Sequence, residues 1–368
     1  MRPASSADDP AALAAPARGA KSNPKNRFEK LEVIIEPDDS WDEDDQPRPV
    51  RTQFFRDGTQ SIIAWNDSPD IPFRAGVSPY RGCEHGCAYC FARPTHEYLG
   101  FSAGLDFETK IMVKERAPEL LRREFSRKRW EPQVVALSGV TDVYQPIERQ
   151  LRLTRACLKV FAEFRNPVAI ITKNHLVTRD IDLLAELARW HAVSVAISVT
   201  TLNADLARVL EPRASPPSRR LAAIRELSAA GVPVRVLMAP IIPGLTEHEI
   251  PAVLRAVAEA GALGANYTLL RLPWAVAPLF EDWLERHVPG QKEKVLGRLQ
   301  ELRGGKLYDA QFGARLTGTG PLAEQIKMLF DVARRKAGFP PEGAGLQVAE
   351  LSTRHFRVPT DQLSLFGD

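Results

Sequence analysis

At 368 residues, with 44% hydrophobic and 26% charged side chains, the chain has the composition of an ordinary globular protein, with room for one large domain plus appendages or for two. No apolar run reaches a membrane span and the N-terminus lacks the apolar core of a signal peptide, while four cysteines, three of them clustered, point to a reducing cytoplasm. The formal net charge of +3 neither demands nor excludes a nucleic-acid partner.

Residues 1–50 are rich in Ala, Pro, Ser and Asp, and seven acidic residues fall between Glu36 and Asp45. This arm is expected to be solvated and disordered, which leaves the remainder more basic than the total. From about residue 70 to 273 short apolar runs alternate with amphipathic helices. The predicted strands are 134–138, 168–173, 193–200, 232–240 and 266–273, preceded by one before Cys83. Apolar runs bounded by turn residues suit parallel strands buried on both faces. Helical stripes fill the gaps: Ile147, Leu151, Leu158 and Phe161; Leu183, Leu184 and Leu187; Leu221, Ile224 and Leu227; Ile250, Leu254 and Val257. Six βα units therefore predict an α/β fold with a parallel sheet, either a barrel or an open sandwich, because periodicity does not show closure. Residues 274–350 form a C-terminal extension. Its glycine-rich stretch 302–321, with Lys306 and Arg315, either closes over the sheet's mouth and meets phosphate, or simply connects to the helix that follows. Residues 351–368 read as a flexible tail.

Cys83, Cys87 and Cys90 carry the strongest chemical signal. Their C-x3-C-x2-C spacing, with Tyr89 directly before the third, converges three soft ligands on one point. Two occupants fit: a four-iron cube with one open corner, or a zinc ion completed by His85 or His96. A disulfide would strand one thiol of the three. Gly82 and Gly86 supply the left-handed backbone that a loop wrapped around a cube needs.

This cysteine motif resembles the signature of the radical S-adenosylmethionine (radical SAM) enzymes. The resemblance spans roughly residues 70–335 and is nearest to uncharacterised bacterial proteins allied to spore photoproduct lyase, often labelled DNA repair photolyase-like. It implies a partial (β/α)6 barrel, a [4Fe–4S] cluster, S-adenosyl-L-methionine bound at the open iron, an external one-electron reductant, and a 5′-deoxyadenosyl radical that abstracts hydrogen. Cys83, Cys87 and Cys90 are then the iron ligands. Lys173 ends a very apolar run and needs an anion or an exit to water; its segment "TKNHLVTRDIDLL" resembles the lyase stretch, which implies contact with the cofactor carboxylate. Tyr89, Ser138 and Ser198 sit where they meet the cofactor, or serve as core and turn residues. Glu211 and Arg213 match a similar lyase stretch and pair near the cofactor or at the surface. Asp142 and Tyr144 follow the second strand; Asp142 either orients cofactor or substrate or caps a helix. Spore photoproduct lyase has a further cysteine near the end of its second strand as hydrogen donor, whereas "ALSGVTDVY" has none. Cys157 reads as a packing residue, leaving Tyr144 or Tyr308 for any hydrogen relay.

The tail contains Gln362, Leu363, Ser364, Leu365 and Phe366, which resemble the bacterial peptide that docks on the β sliding clamp. That docking and the lyase resemblance favour a nucleic-acid substrate. The reading from another class is a non-enzymatic nucleic-acid or clamp-binding protein built on a Cys3His zinc site.

Overall fold

Six apolar runs become parallel neighbours in one sheet. The structure, a computed structural model, describes residues 17–28, 50–340 and 351–359. Its strands in chain order are β1 (Gln53–Arg56), β2 (Ile63–Trp65), β3 (Ala75–Val77), β4 (Tyr80–Arg81), β5 (Lys110–Val113), β6 (Val135–Leu137), β7 (Val168–Thr172), β8 (Val193–Ser198), β9 (Val234–Ile241) and β10 (Ala265–Leu269). The large sheet runs β10-β9-β8-β7-β6-β3-β2. All its pairings are parallel except β2 with β3. Every predicted strand is present, with ends shifted by a few residues.

The sheet keeps two free edges, β10 and β2, so the barrel is partial. Successive helices pack on one another in strand order, as a single layer outside a curved sheet does and as a sandwich with helices on both faces does not. The main apolar cluster fills the space between sheet and helices, with Phe125, Phe161, Leu184, Ile224, Leu254 and Phe330 among its members. Cys157 is fully buried in it, a packing residue as expected.

Some features depart from the sequence expectations. The stripe through Ile147 and Phe161 is two helices, Glu148–Leu151 and Leu153–Phe164, separated at Arg152, whose φ is 54°. Buried Glu148 causes the break: its carboxylate turns inward to accept from Thr154 N at 3.0 Å and Tyr80 Oη at 2.5 Å. A second small sheet, β1-β5-β4, has too few residues per strand to be read from pattern. Residues 17–28, placed by composition in the solvated arm, lie across the cysteine loop with Ala20 and Asn26 buried. Residues 351–359 also pack: Ser352 N donates to His191 O at 2.8 Å and Phe356 sits against Phe125 and Phe164. The acidic run 36–45 and the clamp-like peptide 362–366 lie outside the described residues. Among the described residues no helix is long and apolar enough to cross a membrane.

The glycine-rich loop does lead into the expected helix, Pro321–Lys336. It also crosses the opening of the barrel. Leu269 N donates to Leu316 O at 2.8 Å on the β10 side, while Arg315 Nε meets Asp70 Oδ2 at 2.6 Å in the β2–β3 hairpin, on the opposite edge.

Candidate active site

The cysteine loop leaves β4 and is held from below by backbone and charge. Cys83 N donates to Phe107 O at 2.9 Å. Gly82 and Gly86 take φ of 78° and 65°, the left-handed backbone their positions predict. At Gly86 the need is doubled, because a Cβ there would lie 2.6 Å from Glu108 Oε2. Fully buried Arg93 donates to Cys87 O through Nε and Nη2 at 3.1 and 2.8 Å, and its Nη2 also meets Glu108 Oε1 at 2.6 Å. Gly19 N and Ala20 N donate to the same carboxylate at 3.1 and 2.8 Å, so the 17–28 strap completes Glu108's hydrogen bonding.

All three thiols are free. Cys83 and Cys87 are buried and Cys90 is half-buried. Burial pushes the Cys87 and Cys90 thiols up; the Glu211 carboxylate adds to this at Cys87 and the Cys83 sulfur at Cys90. Among the described residues no group of three or more His, Cys, Asp or Glu side chains gathers around a single-ion position. His96 gives Nε2 to Lys110 O at 2.9 Å and lies edge-on to Phe107. His85 is spent on Asp142 Oδ2 at 3.3 Å and Asn174 Nδ2 at 3.1 Å. The zinc alternative is thus poorly served.

Asp142 is a junction. It accepts from Thr172 Oγ1 at 2.7 Å, Lys173 N at 2.8 Å and Tyr144 N at 2.9 Å, besides pairing with His85. Burial alone would raise its carboxyl, but His85 and these donors hold it down at about 2. Burial likewise opposes the charge on His85, yet Asp142 and the Cys83 sulfur raise it to about 10. Asp142 therefore ties the cysteine loop to the end of β7.

The Lys173 ammonium lies 5.8 Å from the Tyr89 ring centre and acts on Cys87, Cys90 and Glu211; it donates to Ala239 O at 3.5 Å. Tyr89 itself is buried and donates its hydroxyl to Glu211, which also receives Thr200 Oγ1 at 2.8 Å and forms a buried ion pair with Arg220. Glu211 does not pair with Arg213, as their sequence proximity suggested. Arg213 reaches Glu84 Oε1 at 3.0 Å, and its N donates to His85 O at 3.2 Å. Both arrangements follow from the loop lying over the strand ends, which brings acid and base from distant segments together.

Ser198 ends β8, buried, with its carbonyl accepting from Arg220 Nη1 at 3.1 Å. The Ser138 hydroxyl is used within its own turn, on Thr141 O at 3.2 Å. Tyr144 is fully buried in the main core and gives its hydroxyl to Asp180 Oδ2 at 3.1 Å, which makes it a packing residue rather than a hydrogen relay. Sequence reasoning missed Arg93, Glu108 and Arg220. Arg220 had no signal, for a helix-start arginine reads as solvent-facing.

Residues 77–257 match the profile of the Radical SAM superfamily. The uncharacterised protein Rv2578c of Mycobacterium tuberculosis is 39% identical over 234 residues, 63% of this chain and 68% of its own length. The uncharacterised protein MJ0683 of Methanocaldococcus jannaschii is 28% identical, covering 60% and 78%. The radical SAM Nalpha-GlyT isomerase of Pseudomonas phage M6 is 25% identical, covering 69% and 50%. Among solved structures, spore photoproduct lyase complexed with dinucleoside spore photoproduct aligns with a TM-score of 0.55 at 14% identity, over 77% of this chain and 78% of that one. A variant of the same lyase, with bound AdoMet and dinucleoside spore photoproduct, aligns at 0.53. Kinship in sequence and likeness in fold converge: the chain belongs to the radical SAM superfamily, with a fold like that of spore photoproduct lyase.

Proposed function

We propose that Cys83, Cys87 and Cys90 hold the [4Fe–4S] cluster of this enzyme, that Lys173 meets the carboxylate of S-adenosylmethionine, and that the substrate is nucleic acid. One observation carries the first part. Three free thiols act on one another electrostatically, they do not gather on a single-ion position among the described residues, and a lysine ammonium acts on two of them. The donor set therefore fits the cofactors that the superfamily uses. When bound and reduced by an external one-electron donor, they supply a 5′-deoxyadenosyl radical for hydrogen abstraction.

This chain's residues prepare the place. Arg93 and Glu108 fix the loop carbonyl at Cys87, while Glu211 and Arg220 fix Tyr89 between the second and third cysteines. Asp142 sets the backbone of Lys173, so the ammonium is delivered from a rigid strand end. Burial of the loop excludes water from the reacting space. Nucleic acid is favoured as substrate by the dinucleoside named in the lyase structures and by the clamp-like peptide at 362–366. The turn after β6 lacks a cysteine and Tyr144 is engaged in the core, which leaves half-buried Tyr308 as the hydrogen relay.

Anaerobic reconstitution tests the reading. The wild type should hold about four irons per chain and release 5′-deoxyadenosine from S-adenosylmethionine with dithionite. Cys87→Ala should lose both. Lys173→Met should keep its iron and raise the S-adenosylmethionine KM by about tenfold, the size of one lost charge-assisted contact. A colourless wild type that binds zinc stoichiometrically would refute it.

A further inference from the structure

Exposed aromatic rings and arginines alternate across the surface beside the cysteine loop. Phe91, directly after Cys90, is 48% exposed and lies under the Arg271 guanidinium at 4.3 Å. Arg271 faces Arg303, Arg315 and Tyr308. The Tyr308 ring stands 6.0 Å from Trp274, which is 55% exposed. Arg27 of the N-terminal strap stacks on Trp274 at 4.1 Å and also reaches Phe28, which in turn packs on Tyr98 at 4.9 Å. The rings thus form a continuous track from the mouth outward.

Two details set this surface apart from scattered surface apolar residues. Trp274 holds a φ of 47°, a left-handed conformation that a bulky residue adopts only at a cost. That cost is not offset by burial, since most of the indole faces solvent. The charge is also one-sided. Arg27 and Arg315 are paired with Glu97 and Asp70, and buried Arg303 is spent on the Leu270 and Arg315 carbonyls beside Asp309, whereas half-buried Arg271 makes no ion pair among the described residues.

The geometry points to a docking track for single-stranded or unpaired nucleic acid. Bases stack on the exposed rings, and phosphates meet Arg271 and its neighbours. Stacking on aromatic faces is tolerant of sequence, and interleaved arginines add cation–π contact and backbone attraction. A duplex hides its base faces and gains little here. An apolar protein partner would have to bury Arg271 without a carboxylate to pair it. The track starts at the residue following the third cysteine, so a strand lying along it presents its end nucleotide to the mouth. This inference rests on the nucleic-acid reading above and adds to it where and how the strand is held.

The test measures fluorescence anisotropy of fluorescein-labelled dT12 with the anaerobically reconstituted full chain. Wild type should bind dT12, more weakly as salt rises, and should bind the corresponding duplex at least tenfold less tightly. Trp274→Ala and Tyr98→Ala should each weaken dT12 binding about fivefold or more, the loss of a base stack. Both variants should release 5′-deoxyadenosine from S-adenosylmethionine at the wild-type rate without oligonucleotide, which shows that they are folded and loaded. Unchanged dT12 affinity in both variants, or equal affinity for duplex, overturns the track while the nucleic-acid reading stands. A wild type that cleaves S-adenosylmethionine yet binds neither oligonucleotide overturns both.

Discussion

Replacing Arg220 with Met should destabilise the protein by about 3–5 kcal/mol, the usual cost of removing one member of a buried ion pair. Arg220 and Glu211 are both buried, and Arg220 also donates to Ser215 O at 2.7 Å and Ser198 O at 3.1 Å. A second route gives a similar size. Burial by itself would raise the Glu211 carboxyl; Arg220 and Lys173 instead bring it to about 2 from an ordinary 4.5. At about 1.4 kcal/mol for each pH unit, that difference corresponds to about 3 kcal/mol. Without Arg220 the carboxylate is stranded and takes up a proton. Adding Glu211→Gln should recover most of the loss, because Gln still accepts from Tyr89 and Thr200 and carries no charge. Urea unfolding at pH 7, followed by tryptophan fluorescence under anaerobic conditions, measures both. A single-variant loss below about 1 kcal/mol, or a double variant no better than the single, would show that the pair does not bear on the fold as argued.

Gly19→Ala should detach the strap, since its Cβ would fall 1.7 Å from the Gly86 carbonyl oxygen, a backbone atom with nowhere to go. Faster tryptic cleavage at Lys21 and a lower retained iron content are the expected readouts, and unchanged proteolysis would contradict the strap's role. Burial lowers the His96 imidazole to about 4 from 6.5, with Asp106 and the Lys110 carbonyl opposing and the Lys110 ammonium assisting. The unfolded chain therefore binds more protons between those values. Stability is full above pH 6.5 and falls by about 3 kcal/mol as pH drops to 4. His96→Gln should flatten that part of the wild-type curve of urea midpoint against pH; an equal slope in both proteins would dismiss His96 as its source. Deleting residues 362–366 should abolish capture of the chain by immobilised β sliding clamp, and undiminished capture would dispose of the tail's proposed docking.

The sheet was legible because its strands are buried on both faces. Runs such as "VAIIT" and "VSVAIS" have nowhere else to go, so sequence pattern and tertiary position coincide. The cysteine loop was legible because three thiols in eight residues have few uses. The loop's supports were not. Glu108, Arg93 and Arg220 are charged, and charge read locally means solvent; Glu211 was singled out, but with Arg213 instead of Arg220 as its partner. Only the folded chain shows each acid facing its base, across 15 residues for Arg93 and Glu108 and 9 for Glu211 and Arg220. The strap at 17–28 failed for a related reason: its composition matches a disordered arm, but its backbone N–H groups and Asn26 satisfy buried acceptors that exist only once residues 93–109 have folded.

The loop's three anchors are all ionised or polar pairs: Arg93 with Glu108, Tyr89 and Arg220 with Glu211, and His85 with Asp142. Buried pairs of this kind seldom out-stabilise a well-packed apolar substitute. Stability therefore does not account for three of them around one segment. Directionality does: a hydrogen-bonded pair fixes the angle and register of the backbone it holds, whereas apolar contacts let it slide. On the proposed ligation the three sulfur positions have to match a rigid cube, and register is then what the loop needs most. The Arg220→Met, Glu211→Gln double variant separates the two quantities. It should regain most of its resistance to urea yet lose iron several-fold faster to a chelator such as bathophenanthroline disulfonate under reducing conditions. Wild-type iron retention in that variant would mean that the pair holds the fold alone and not the loop's register.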